Sequence, residues 1–178
     1  MLTNGMFYSK LIYCLPLYGN VFDIESLSDN ETRQNSFTKA NLNSLQVLQN
    51  KILRMSTNSS YDTPVAQLLQ KSGSLSINQL IGYTTVLAFY KIRQTKEPAY
   101  LAKRMGLFEN LNNSRSSRTR FNKSKITFNM ARAREGFLYR GESLWLLLPD
   151  DLKQETQLSR FKTKLREWIK LKIKPLPR

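Results

Sequence analysis

Histidine is absent from this chain of 178 residues, and cysteine occurs once, at Cys14. Without histidine there is no Ser-His-Asp or Cys-His arrangement and no His-containing metal site. A lone cysteine excludes an internal disulfide and a four-cysteine zinc site. Neither a GxxxxGKS/T loop nor a GxGxxG turn is present, so the familiar nucleotide cradles are excluded as well. Acidic charge is scarce, with 13 Asp+Glu against 28 Lys+Arg and a formal charge of +15. The apolar stretch near the start, Leu11 to Tyr18, follows Lys10 and contains Pro16. It is too short to span a bilayer and has no small-residue cleavage site behind it. The expectation is a soluble, intracellular protein of nucleus or cytoplasm, with no membrane span, no small-molecule substrate, no metal and no cofactor.

What the chain does have is a globular composition, 40% hydrophobic and 23% charged, and a length that suffices for a buried core. The positive balance points to a polyanion as partner: nucleic acid, an acidic lipid surface or an acidic protein. The excess is uneven. Residues 103–140 carry ten basic and two acidic side chains, more than half of the net charge.

Periodicity predicts a mainly α protein, a compact helical domain with a basic irregular arm and a short strand or hairpin near 124–140. Phe7, Leu11 and Leu15, with Tyr8 and Ile12 beside them, form one helical stripe that Pro16 and Gly19 end. Asp23 to Ala40 reads as a surface connection. Leu42, Leu45, Leu48, Ile52 and Met55 then mark a second helix. Thr63-Pro64 reads as a cap and first-turn proline of a short helix that Gly73 closes, and Ser76 as the cap of the next. On that helix Ile77, Leu80, Ile81, Thr84, Leu87, Ala88 and Lys91 share a face; Pro98 opens one further turn. From Lys125 to Arg132 the alternation of Ile126, Phe128 and Met130 with polar neighbours suggests the strand. Leu158, Phe161, Leu165, Trp168 and Ile169 recur on a closing basic helix that Pro175 and Pro177 stop. Three regions result: helical 1–105, a basic arm 106–140 and a C-terminal helical segment 141–178. The expected core comprises Tyr13, Leu48, Ile52, Leu80, Leu87, Tyr139, Trp145, Leu148, Phe161, Leu165 and Trp168.

Two constellations could engage a partner. Arg115, Arg118, Arg120, Lys123, Lys125, Arg132 and Arg134, with Phe121 and Phe128 interleaved, combine guanidinium groups that grip phosphates with rings on which unpaired bases stack. The closing helix, with Lys162, Lys164, Arg166, Lys170 and Lys172 around an apolar stripe, could lie on a membrane or in a groove; docking on its own domain is the simpler reading. The adjacent Asp150 and Asp151 follow Pro149 and suit the start of a helix better than a magnesium site. No set of residues makes an active site.

Several segments in order resemble the C-terminal region of non-LTR (LINE-type, Jockey-like) retrotransposon reverse transcriptases. Ser9 to Asn20 (SKLIYCLPLYGN) is similar to the family's S-x-L-x-Y-C-x-P-x-W-G-N stretch, with Tyr18 where tryptophan is usual. Leu45 to Met55 (LQVLQNKILRM) resembles its L-x-x-L-Q-N-K-A-L-R helix. Thr119-Arg120 matches a T-R pair in the basic arm. Tyr139-Arg140-Gly141 with Leu144-Trp145 through Leu148-Pro149 resembles F-R-G-x-x-L-W-N-x-L-P, with Leu146 in place of asparagine; Phe161 to Leu165 matches F-K-x-x-L. The resemblance implies thumb-like helices and the extension that follows the palm, with polymerase and endonuclease residues lying upstream. A chain of that kind would bind RNA or an RNA–DNA hybrid without polymerising. It also implies an alternative: a relic of a truncated element copy, or a helical protein-interaction domain made to pack on a palm or another protein. Polymerase activity would require a partner chain supplying the palm.

Overall fold

Helical spacing of apolar residues sets the architecture. The computed structural model describes Ser9, Leu15, residues 39–105 and residues 137–173. Residues 39–105 and 137–173 form seven helices and no strand: α1 (Lys39–Thr57), α2 (Val65–Ser72), α3 (Ile77–Thr95), α4 (Ala99–Arg104), α5 (Phe137–Leu146), α6 (Asp150–Lys153) and α7 (Leu158–Lys172). The protein is mainly α. Where the expected strand region is described, at Phe137–Arg140, it is the first part of α5, because Leu138, Gly141, Leu144 and Trp145 place their buried sides at helical rather than alternating spacing.

The hub is α3, against which α1, α4, α5 and α7 all pack. Its start is a capping box. The Ser76 hydroxyl accepts from the Gln79 N–H at 3.3 Å, and the Gln79 carboxamide oxygen accepts from the Ser76 N–H at 3.1 Å. Being surrounded, α3 buries residues around most of its circumference, including Ile77, Ile81, Val86, Phe89, Tyr90 and Ile92. The single face expected from Ile77 to Lys91 is therefore too narrow at one end and wrong at the other, where Lys91 is exposed. The turn before it is local. Gly73, at φ +62°, ends α2 in the left-handed conformation, and its N–H donates to the Gln70 carbonyl. Pro64, not Thr63, stands at the N-cap position of α2, and no side chain caps that end.

The α1 helix is turned relative to its apolar pattern. The sequence predicts Leu42, Leu45, Leu48, Ile52 and Met55 inward, but the buried residues are Leu42, Gln46, Gln49, Asn50 and Leu53. Leu48 is 46% exposed and Met55 83% exposed, with Ile52 half-buried, so Leu48 is not a core residue. The reason is hydrogen bonding across the α1–α3 contact. The Gln46 oxygen accepts from the Ile77 N–H at 2.9 Å, and its amide donates to Gln49 Oε1 and Asn50 Oδ1. The Gln49 amide in turn donates to the Leu75 carbonyl at 2.7 Å. These bonds satisfy backbone groups at the entry to α3 that an apolar face would leave orphaned.

In the N-terminal segment, Leu15 is helical and buried with the main core, while Tyr13 lies outside the described residues. Leu80, Trp145, Leu148, Phe161 and Leu165 are buried as expected; Leu87, Tyr139 and Trp168 are half-buried.

Candidate nucleic-acid interface

The closing helix α7 is the best-defined cationic element. Its inward side is Phe161, Leu165 and Ile169, spaced i, i+4, i+8 and each fully buried, followed by Ile173 at 1%. Burying each of these is worth about 1.5–3 kcal/mol, which settles which way the helix faces. An aromatic cluster fixes it further. Phe161 stacks on Tyr90 with ring centroids 3.9 Å apart and lies 6.3 Å from Trp145, which also meets Phe89 at 5.8 Å. The Tyr90 hydroxyl donates to the carbonyls of Glu155 and Thr156 and thereby pins the turn that leads into α7. Burial raises the Tyr90 phenol above its ordinary pKa, and the Glu155 charge adds to the shift.

With that side committed, Arg160, Lys162, Lys164, Arg166, Lys170 and Lys172 are exposed, and Glu167 is the one acidic residue in α7. Leu158, expected in the buried stripe, is 37% exposed. Two of the cations also serve the fold. Lys164 Nζ lies 2.8 Å from Glu155 Oε2, and Arg166 donates to the Gly73 carbonyl, tying α7 to the end of α2. The bond from Lys164 is the main reason the Glu155 carboxyl is held below its ordinary pKa. Lys170 and Lys172, in the last turn, also suit the negative end of the helix dipole. The chain ends its described course one residue later: the Gln79 amide donates to the Ile173 carbonyl at 2.9 Å, holding the exit from α7 against the start of α3.

Another cation works inside the fold. Arg93 lies 5.1 Å from the Trp145 ring centroid, and its burial lowers the guanidinium pKa while Glu142 opposes the shift.

The arm cations Arg115, Arg118, Arg120, Lys123, Lys125, Arg132 and Arg134, and the rings Phe121 and Phe128, lie outside the described residues. Asp150 and Asp151 begin α6, and Asp150 pairs with Lys153 at 3.3 Å. Among the described residues no group of three His, Cys, Asp or Glu side chains could hold a metal ion, and no helix is long and apolar enough to cross a membrane. The buried amides of α1 and the Phe89–Tyr90 pair were not singled out by the sequence pattern. The amides have no apolar periodicity to betray them, while Phe89 and Tyr90 occupy i+12 and i+13 from Ile77 and were accessible to a wider helical template.

Family models, curated proteins and solved structures give no match to this chain. The class that the geometry itself defines is a helical module whose closing helix docks by an apolar stripe and carries cations on its outer side.

Proposed function

We propose that this chain is a non-catalytic nucleic-acid-binding module, related to the C-terminal region of non-LTR retrotransposon reverse transcriptases, that holds single-stranded RNA or an RNA–DNA hybrid by its phosphates. The observation that carries the reading is α7. The side formed by Phe161, Leu165 and Ile169 is consumed by the fold, so the outer side is mostly cationic, with Leu158 and Leu171 the large apolar residues exposed on the helix. Together with the basic arm 106–140 its cations give the polyanion partner the charge it requires. The segments that resemble the retrotransposon family supply the choice of RNA.

The test is fluorescence anisotropy with a labelled single-stranded RNA of about 25 nucleotides. An Arg160→Glu/Lys170→Glu variant, with helicity checked by circular dichroism, should bind at least about tenfold more weakly at low salt. Unchanged binding would remove α7 from the interface, and no binding by the unaltered protein would end the reading.

A second reading has one observation in its favour. Val47, Leu48 and Met55 on α1 are 46–83% exposed, an apolar edge suited to protein contact. If that edge is the functional one, the isolated protein self-associates or binds an apolar dye, and a Leu48→Lys/Met55→Lys variant does neither.

A further inference from the structure

The short helix α4 offers a second, separate contact. Its inward side is Ala102, fully buried, and Met105, 3% exposed, with Leu101 half-buried between α4 and the core. At 100° per residue the opposite side is occupied by Tyr100, with Lys103 on one flank at i+3 and Arg104 on the other at i+4. All three are exposed, Tyr100 by 67%.

Tyr100 differs from the other aromatic residues described. Phe89, Tyr90, Trp145 and Phe161 are consumed by the core cluster; Tyr83, Phe137, Tyr139 and Trp168 are half-buried. Tyr61 is exposed, but the Arg54 guanidinium covers its ring at 5.2 Å. Tyr100 alone among them combines exposure with a ring that meets no other ring and no cation among the described residues. The helix that carries it is anchored by two side chains on the reverse side, so the ring is held outward on a firm base. Positions three and four apart on a helix stand about 5–6 Å from one another, so both cations lie within side-chain reach of a nucleotide stacked on Tyr100.

We propose that Tyr100 is a stacking platform for one unpaired nucleobase, with Lys103 and Arg104 taking the phosphates on either side of that nucleotide. This rests on the nucleic-acid reading above and specifies how part of that contact is made: through a base face, which a duplex does not offer. Stacking of this kind is indifferent to base identity, so the site selects single strands rather than a sequence.

The experiment compares two labelled strands of about 25 nucleotides, oligouridine RNA and an abasic phosphodiester strand of the same length, each titrated with the full chain at several salt concentrations. Tyr100→Ala should weaken oligouridine binding about tenfold and leave the abasic strand unchanged, and Tyr100→Trp should restore oligouridine affinity. Lys103→Ala/Arg104→Ala should weaken both strands alike and flatten the slope of log affinity against log salt by about 1.4. All the altered side chains are exposed, so the fold is not at stake. If the unaltered protein binds with a steep salt dependence but Tyr100→Ala is indistinguishable from it on oligouridine, the stacking site is refuted and the nucleic-acid reading stands. If the unaltered protein binds neither strand, both fall.

Discussion

At the scale of single residues, two close approaches carry clear consequences. A Cβ built on Gly141 would lie 2.5 Å from Cδ2 of Phe89, a ring held on its other sides by Trp145 and the core. Glycine is required there because α3 and α5 touch at that point. Gly141→Ala should destabilise the protein by about 1–3 kcal/mol in urea unfolding, the cost typical of overpacking; a change below about 0.5 kcal/mol would show that Phe89 can move aside. The Lys164–Glu155 contact makes a pH prediction. A carboxyl whose pKa is lower in the folded than in the unfolded state adds stability that is complete above the unfolded value and fades as the pH falls through the folded one. Glu155→Gln should therefore be less stable than the parent near neutrality, and the gap should close in the acid range below the ordinary carboxylate pKa. Unfolding midpoints at about pH 7 and about pH 3 check this; a gap that is the same at both pH values contradicts it.

At the scale of elements, α1 shows how a correct helix can be given the wrong face. Its extent was legible, since apolar residues recur at helical spacing from Leu42 to Met55. Its orientation was not, because the contact with α3 is made by amides: Gln46, Gln49 and Asn50 satisfy one another and two backbone groups at 75–77. Apolar periodicity carries no record of such bonds, and the outward Leu48 and Met55 misled it. The consequence is a reversal of ordinary substitution logic. Leu48→Asp should change stability by less than about 0.5 kcal/mol, whereas Gln46→Leu, more apolar and buried, should cost about 1–3 kcal/mol by leaving the Ile77 N–H without its acceptor. Equilibrium unfolding of the two variants decides it, and the opposite order would return Leu48 to the core. By contrast α3 and α7 were legible in extent and in part of their buried side chains, although Val86, Phe89, Tyr90 and Ile92 of α3 were missed and Leu158 of α7 is exposed. Ser76 is a cap with a mechanism, and Phe161, Leu165 and Ile169 keep one strict spacing on a helix otherwise polar. What the pattern did not give for α3 was its burial on nearly all sides, which depends on how many neighbours surround it.

At the scale of the whole molecule, net positive charge is the dominant feature. The net +15 is distributed as a concentrated block at 103–140 and as the outer side of α7, while the acidic residues near α7 are few and one, Glu155, is engaged with Lys164. The helical class and the cationic closing helix were readable from the sequence. The arm residues Arg115, Arg118, Arg120, Lys123, Lys125, Arg132 and Arg134 remain a proposal based on charge and resemblance, since they lie outside the described residues. The outward triplet on α4 was not singled out, because Tyr100 becomes notable only once Ala102 and Met105 are known to face inward. A surface of this kind should act by displacing counterions from phosphates, which makes affinity a steep function of salt. The most direct test is therefore the slope of log affinity against log salt for the intact chain on a single-stranded RNA of about 25 nucleotides, beside an Arg115→Ala/Arg118→Ala/Arg120→Ala variant of unchanged helicity. With roughly six to eight phosphates engaged, the expected slope is about −4 to −6, flattened by about two units in the variant. A slope near zero, identical in both proteins, would contradict the claim that this is a phosphate-tracking surface.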